Sequence, residues 1–410
     1  MALTKKPKKA ESQGSSSNPL LQAKSALSQA LKSEDWQTKL DVSQLSQSLP
    51  HLPTGSMVID YLIGGKPNKH GVSPCPGLPK GRIINLYGHE SSGKSSLALT
   101  AAATTIKNGG TVCYIDWENE IVPEYAVALG VPVHDDTKFL LSQPETLEDG
   151  MAVAFTMASA GVSLIVFDSV GAGVSRAYFD KSIKETGDRA QVGANALLWS
   201  QFLPKLRSRT QKTGSTIIGI SQMRDAINTM GYGDTSTVQG GKAWKFYSAL
   251  RMKLQRIKTE KSSDYSSLSN STEERVIGAV IKAKLDKCKV SPQQGNEETF
   301  YIRWGEGIDD LRSMMEIGIA HNLIKKSASW LEWNKPDGDS IRLQGVEKLR
   351  AMMMANPELI SVLEAQVKPY MAGEGVLATS TSKEIFDDGD GDEDGDDNSL
   401  DAEVQALLNG

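Results

Sequence analysis

The sequence predicts an α/β protein: a mostly parallel, twisted sheet with helices on both faces, followed by a small α+β domain. Three observations carry this expectation. Apolar runs of strand length alternate with helical stretches from Thr54 onward. The runs Ile83–Tyr87 and Leu164–Phe167 are nearly continuous in apolar residues, as strands covered on both faces are. The chain of 410 residues, 39% apolar and 23% charged, is long enough for one large or two to three small cores.

Taken in order, residues 1–50 read as a basic arm (Lys5, Lys6, Lys8, Lys9) and then an amphipathic helix over Leu20–Leu31, expected to seek an apolar partner. The core is expected over 51–300. Its strands are Arg82–Tyr87, Thr111–Asp116, Leu164–Asp168 and Ser215–Ser221, and its helices Ser95–Lys107, Pro123–Leu129 and Ala194–Lys212. Further strands follow at Ala249–Lys258, Val276–Leu285 and Glu298–Arg303. Residues 301–370 read as the small α+β domain, with helical patterns on either side of Trp330 and Trp333. Residues 371–410 read as an acidic tail. The stretch 223–241, long, polar and Gly-rich, reads as a functional loop.

Composition narrows the function. No apolar run is long enough to span a bilayer. The three cysteines, Cys75, Cys113 and Cys288, are odd in number and far apart, which argues against a disulfide framework or a zinc site and for a reducing cytoplasm. The net charge of -5 conceals an acidic stretch from Phe386 to Glu403 on a slightly basic remainder. That asymmetry suits a polyanion partner whose access the tail contests; a tail serving solubility alone is the other reading.

The chemistry centres on GHESSGKSS, residues 88–96, which fits G-x-x-x-x-G-K-[ST] from Gly88 to Ser95. Such a loop converges backbone N–H groups on phosphates, and the helix after it adds its positive end. Lys94 is placed to reach the β- and γ-phosphates and Ser95 to ligate Mg²⁺. Asp168, at the end of an apolar strand, is the second candidate for the metal. Glu118, just past another strand end, is the candidate to orient an attacking water. All three fall at carboxyl ends of strands, where open α/β sheets bind ligands.

These motifs, together with TVCYIDWENEIVPEYAVALGV, LIVFDSV, GISQMR, GGKAWKFYSALRMKLQRI and WGEGIDD, resemble the RecA family of bacterial and bacteriophage recombinases over about residues 54–333. The resemblance implies a RecA-like P-loop NTPase core that uses ATP and Mg²⁺ and assembles with itself into a helical filament on single-stranded DNA. It implies pairing of that strand with double-stranded DNA, and, as further partners, a single-strand-binding protein and a loader. By the same resemblance Glu118, Lys94 and Gln222 are catalytic, with Gln222 sensing the γ-phosphate. Gly88, Glu90, Ser91, Ser92, Gly93, Lys94, Ser95, Ser96 and Tyr125 bind ATP, Tyr125 by stacking on adenine. Ser95 and Asp168 hold the metal. Lys287 and Lys289 reach a neighbour's ATP, and Phe246 lies at the subunit interface.

By the same resemblance DNA contacts are expected from two loops, 178–192 and 223–241, through Arg189, Arg224, Met230, Tyr232, Gly240 and Gly241, and beside them from Ser200 and from Lys242 after the glycine pair. Departures from the family pattern are the segment Gly71–Pro79, Val122 in place of an acidic residue that reads adenine, Leu197 and Pro204 in place of arginines, and Lys242 in place of an asparagine. In the tail, Asp390, Asp392, Asp394, Gly395 and Asp401 fit a calcium loop loosely; a mimic of DNA is the better reading. A hexameric DNA motor and a non-hydrolysing ATP-switched mediator remain alternatives. GGKAWKFY and Lys287/Lys289 argue against the first, Glu118 and Gln222 against the second.

Overall fold

The computed structural model describes residues 48–65, 72–180, 188–225, 236–266 and 271–371. The basic arm, the Leu20–Leu31 helix and the acidic tail with its calcium-loop pattern lie outside these residues.

A short antiparallel pair, β1 (His51–Leu52) and β2 (Leu78–Pro79), brackets α1 (Met57–Gly64). Then come β3 (Ile83–Gly88), α2 (Lys94–Lys107), β4 (Val112–Asp116), α3 (Pro123–Ala128), β5 (Phe139–Ser142), α4 (Leu147–Ala160) and β6 (Leu164–Asp168). The one-turn α5 (Arg176–Phe179) precedes α6 (Asp188–Thr213), β7 (Thr216–Asp225), β8 (Ser236–Val238) and α7 (Gly241–Tyr247). Next are β9 (Leu250–Ser266), β10 (Ser271–Cys288), β11 (Glu297–Arg303) and β12 (Gly307–Ile308). The small C-terminal part comprises α8 (Asp310–Ala320), β13 (Ile324–Ser327), β14 (Trp330–Asn334), β15 (Ser340–Gln344), α9 (Val346–Ala355) and α10 (Pro357–Met371).

The main sheet runs β12-β11-β10-β9-β3-β7-β6-β4-β5, with β8 paired to β7. The six strands from β9 to β5 are parallel, and β10 to β12 extend the edge antiparallel. Alternate side chains feed two cores, the reason these strands read as unbroken apolar runs. Ile84, Leu86, Val166 and Ile218 pack under α1 and α2, while Ile83, Ile165, Phe167 and Ile217 pack under α4, α6 and α7. On the second face Phe167 stacks on Trp117 at 5.7 Å and meets Trp199 and Trp244 edge-on at 5.4 and 6.0 Å. Truncating this fully buried ring to alanine costs about 3–5 kcal/mol on the scale of core aromatics.

A third core lies in the C-terminal part, around Met315, Trp333, Leu349 and Leu363. The Trp333 indole N–H donates to Gln366 Oε1 at 2.8 Å. Several hydrogen bonds join this part to α1 and the main sheet, Arg303 to Glu347 and Arg312 to Glu260 among them. Asp310, at the start of α8, accepts from Met57 N at 2.6 Å and Ser56 Oγ at 2.8 Å. Asp309 accepts from Arg303 Nε at 3.2 Å and Arg350 Nε at 2.7 Å.

Three expectations need correction. The helix expected from Ala194 starts at Asp188, because its first turn carries no apolar periodicity to mark it. Between its helices, the region around Trp330 and Trp333 is a three-stranded antiparallel sheet, in keeping with the α+β arrangement expected there. The boundary at 300/301 cuts through β11, which is bonded to β10 along its length, so the main sheet continues to Ile308. The loop expected over 223–241 is strand at both ends: Met223, Arg224 and Asp225 pair with Val238, Thr237 and Ser236. The β-branched Thr237 and Val238 favour that ribbon, and α7 already begins at Gly241.

Candidate nucleotide and nucleic-acid site

β3 is buried along its whole length and delivers Gly88 to the carboxyl edge of the sheet. The loop then turns through Gly93, whose φ of 83° is left-handed and suits glycine alone, directly into α2. Lys94 opens the helix and is 7% exposed. Its ammonium folds back on the loop and donates to His89 O at 2.6 Å, Gly88 O at 3.2 Å and Ser92 Oγ at 3.3 Å. Burial pulls the ammonium below its ordinary pKa, and Asp168, Glu118 and Glu90 oppose that shift. Among the loop residues, Glu90, Ser91 and Ser95 are exposed at the mouth, while Ser92 is buried.

Ser95 Oγ donates to Asp168 Oδ2 at 2.8 Å. The Tyr114 hydroxyl donates to the same oxygen at 2.6 Å. Burial lifts the Asp168 carboxyl to about 6, although both of these hydrogen bonds act to lower it. Asp116 sits in register with Asp168 on the next strand and accepts from Glu118 N at 3.1 Å and Ile121 N at 3.3 Å. It thereby shapes the turn that presents Glu118. Glu118 Oε1 accepts from Gln222 Nε2 at 3.1 Å and from Ser169 Oγ. Tyr125 is half-buried, its hydroxyl donating to Ser96 Oγ at 2.9 Å.

The structure therefore brings Lys94, Ser95, Asp168, Glu118, Gln222 and Ser96 with Tyr125 to one edge. Tyr114, Asp116 and Ser169 belong to the same cluster and were missed by sequence reasoning. A signal for Asp116 exists, since it ends its apolar strand as Asp168 does. Tyr114 lies two residues earlier and so on the same strand face.

Gln222 has a second relationship. It pairs with Gly88 across β3 and β7, and its carbonyl accepts from Gln239 N at 3.0 Å. Three residues further on, β7 ends at Asp225; residues 226–235, Met230 and Tyr232 among them, lie outside the described residues. Gly240 and Gly241 follow the ribbon, with φ of 90° and 77°, and Lys242 is exposed. Arg224 lies in β7 opposite Thr237, and Arg189 in the first turn of α6. Ser200 is exposed on α6, its hydroxyl donating to Leu197 O. In the other expected loop, residues 181–187 lie outside the described residues.

Lys287 does not join this cluster in its own chain. Its ammonium donates to the carbonyls of Lys245 and Phe246 at 2.8 and 3.0 Å, at the end of α7. Lys289 is exposed on the same edge, and Phe246, 70% exposed, stands beside them.

A mostly parallel sheet, a Gly-Lys-Ser loop entering a helix, and a buried aspartate against its serine define a P-loop nucleotide-binding protein of the α/β class. Comparison with known proteins narrows this. The family described as RecA N-terminal domain matches residues 25–309. Protein RecA of Fusobacterium nucleatum is 37% identical over 328 residues, covering 80% of this chain and 78% of the relative. Protein RecA of an Arthrobacter species is 38% identical over 334 residues (81% and 86%), and that of Mycolicibacterium smegmatis 35% over 344 (84% and 89%). The chain belongs to the RecA family of recombinases.

Proposed function

We propose that the chain is a DNA-dependent ATPase that assembles into a helical filament on single-stranded DNA, pairs it with homologous duplex and exchanges strands. The observation that carries this reading is Gln222. It bonds the residue placed to orient water, it is the strand neighbour of the first P-loop residue, and it leads into the segment expected to bind DNA. Nucleotide state and DNA affinity are then coupled through one side chain.

Roles follow from the geometry. Ser95 and Asp168 are hard oxygen donors already in contact, a set that fits Mg²⁺, and they would hold it. The ion would supply charge neutralisation at the phosphates. Lys94 leaves its loop carbonyls for phosphate oxygens. Glu118, held by Ser169 and Gln222, orients the attacking water and takes its proton. Lys287 and Lys289 act on a neighbouring protomer's nucleotide, since in its own chain Lys287 is turned to the end of α7. Phe246 packs into that neighbour.

No helix among the described residues is long and apolar enough to cross a membrane. The cytoplasmic location we propose rests on the three free cysteines. The test is strand invasion of a homologous duplex with ATP or a poorly hydrolysed analogue, run beside ATP turnover with and without single-stranded DNA. DNA-stimulated turnover together with joint-molecule formation is expected. Turnover indifferent to DNA, without joint molecules, overturns the reading.

A further inference from the structure

On β3, Asn85 and Tyr87 alternate with Ile84 and Leu86, and so point to the face opposite α2. There they line a cavity of about 410 Å³ with Arg251 and Lys253 of β9, Asp286 of β10, and Lys242 and Lys245 of α7. Its charges do not balance. Arg251 is 8% exposed, yet it meets no carboxylate among the described residues. Its Nε donates to Asn85 Oδ1 at 3.3 Å and its guanidinium lies 4.4 Å from the Tyr87 ring centre. Asn85 is otherwise engaged, donating to Gly219 O at 3.0 Å and Ser221 Oγ at 2.8 Å. The single carboxylate of the lining, Asp286, accepts from the Tyr87 hydroxyl. Lys242, Lys245 and Lys253 make no ion pair among the described residues.

A buried guanidinium without a counter-charge, joined by three lysines, is costly unless an anion completes it. Lys287 is pushed down to about 8, by burial first and then by Lys289, Arg251, Arg207 and Lys245. The cavity's place in the fold points to the anion. Met223 and Val238, paired at the base of the β7–β8 ribbon, also line it, and Lys242 links it to the glycine pair.

We propose that this cavity is a phosphate-binding subsite at the root of the second DNA segment, taking a phosphodiester of bound DNA on Arg251 and Lys253. The proposal rests on the DNA-binding reading of that segment. The chemistry it requires, a phosphoryl oxygen facing a guanidinium and an ammonium, is equally met by free phosphate.

The test uses the full chain and its Lys253→Gln and Lys253→Arg variants. Affinity for a single-stranded oligonucleotide is measured across a salt series with a poorly hydrolysed ATP analogue. Loss of one phosphate contact lowers the slope of log K against log salt by about 0.7. The expected result is that fall in Lys253→Gln, with the slope restored in Lys253→Arg. In parallel, DNA-free protein is melted in inorganic phosphate and in chloride at equal ionic strength. A slope change identifies DNA as the source. An unchanged slope with a phosphate-specific rise in Tm that Lys253→Gln loses identifies the subsite with free phosphate as its source. An unchanged slope with no phosphate-specific rise overturns the proposal. Failure of the wild-type chain to bind DNA overturns the functional reading instead, and the melting arm alone then decides the subsite.

Discussion

Gln222 Nε2 donates to Glu118 Oε1 at 3.1 Å, across 104 residues of sequence. The bond joins the end of one parallel strand to the turn after another, over the mouth of the P-loop. Together with the Ser169 hydroxyl, which donates to the same oxygen, it holds the carboxylate in one orientation. Replacing Gln222 with Asn keeps the amide but shortens its reach, so the bond to Glu118 is lost. The expected outcome is nucleotide binding near wild type, with DNA stimulation of ATP turnover reduced about 10-fold or more, a coupling energy of about 1.4 kcal/mol. Turnover assays with and without single-stranded DNA check this; undiminished stimulation would show that coupling runs elsewhere.

Glu118→Gln keeps size and hydrogen-bonding capacity but cannot take a proton. Hydrolysis is expected to fall about 10²–10⁴-fold, the range of a general base. ATP-dependent DNA binding is expected to persist, measured by fluorescence anisotropy of a labelled oligonucleotide. Loss of both together would assign Glu118 a structural role.

Lys94→Ala removes the ammonium that Gly88 and His89 carbonyls hold in place. Turnover is expected to fall by about 10²–10³-fold or more, as when a preorganised charge partner of a transition state is deleted. Steady-state phosphate release checks it, with nucleotide affinity measured in the same samples to separate binding from chemistry.

Phe246 is 70% exposed and, among the described residues, meets the Tyr247 ring at 5.1 Å. Its replacement by Ala should leave the Tm of the dilute protein almost unchanged, as at other exposed sites. Sedimentation should instead show assembly weakened by 10-fold or more if the ring is buried in a neighbour. A destabilised monomer with normal assembly would contradict the interface role.

Asp60 accepts from Thr54 N at 2.9 Å, and burial raises its carboxyl to about 7, with Asp310 nearby adding to the rise. Asp310 itself is raised to about 6, again mainly by burial. Unfolded aspartate titrates near about 3.9, so the folded state holds these protons more tightly. The stability they contribute is complete below about pH 4 and is lost as pH rises through about 7. In nucleotide-free melts Tm should therefore decline between about pH 4 and 7, and Asp60→Asn should flatten that decline. Parallel curves for wild type and variant would exclude Asp60 as its source.

The candidate nucleotide site is legible in the sequence because its parts are local. Gly88 to Ser95 is one loop, and Asp168 and Glu118 each follow an apolar strand whose end marks the ligand edge. Helix α4 is equally marked, by Thr146 capping Asp149 N at 3.2 Å and by Gly161 at its stop, yet no helix is expected there because its apolar residues are mostly alanine and methionine. What is not legible depends on pairing between distant strands. Arg251 meets Asn85 across 166 residues, and neither carries a motif. Lys287 reads as one of two strand charges until α7 is seen to end against it. For the DNA segment, the glycine pair is evident, but the ribbon that brings Met223 opposite Val238 rests on a register no local pattern announces.

The grip of Lys94 on its own loop carries one more implication. The ammonium has three oxygen partners on its own loop, so a phosphate that reaches it must exchange neutral oxygens for anionic ones. A singly charged ion such as chloride gains little by that exchange, whereas a polyphosphate gains at several oxygens at once. Preference for polyphosphate over simple salt anions then follows from the way the loop's own oxygens hold Lys94.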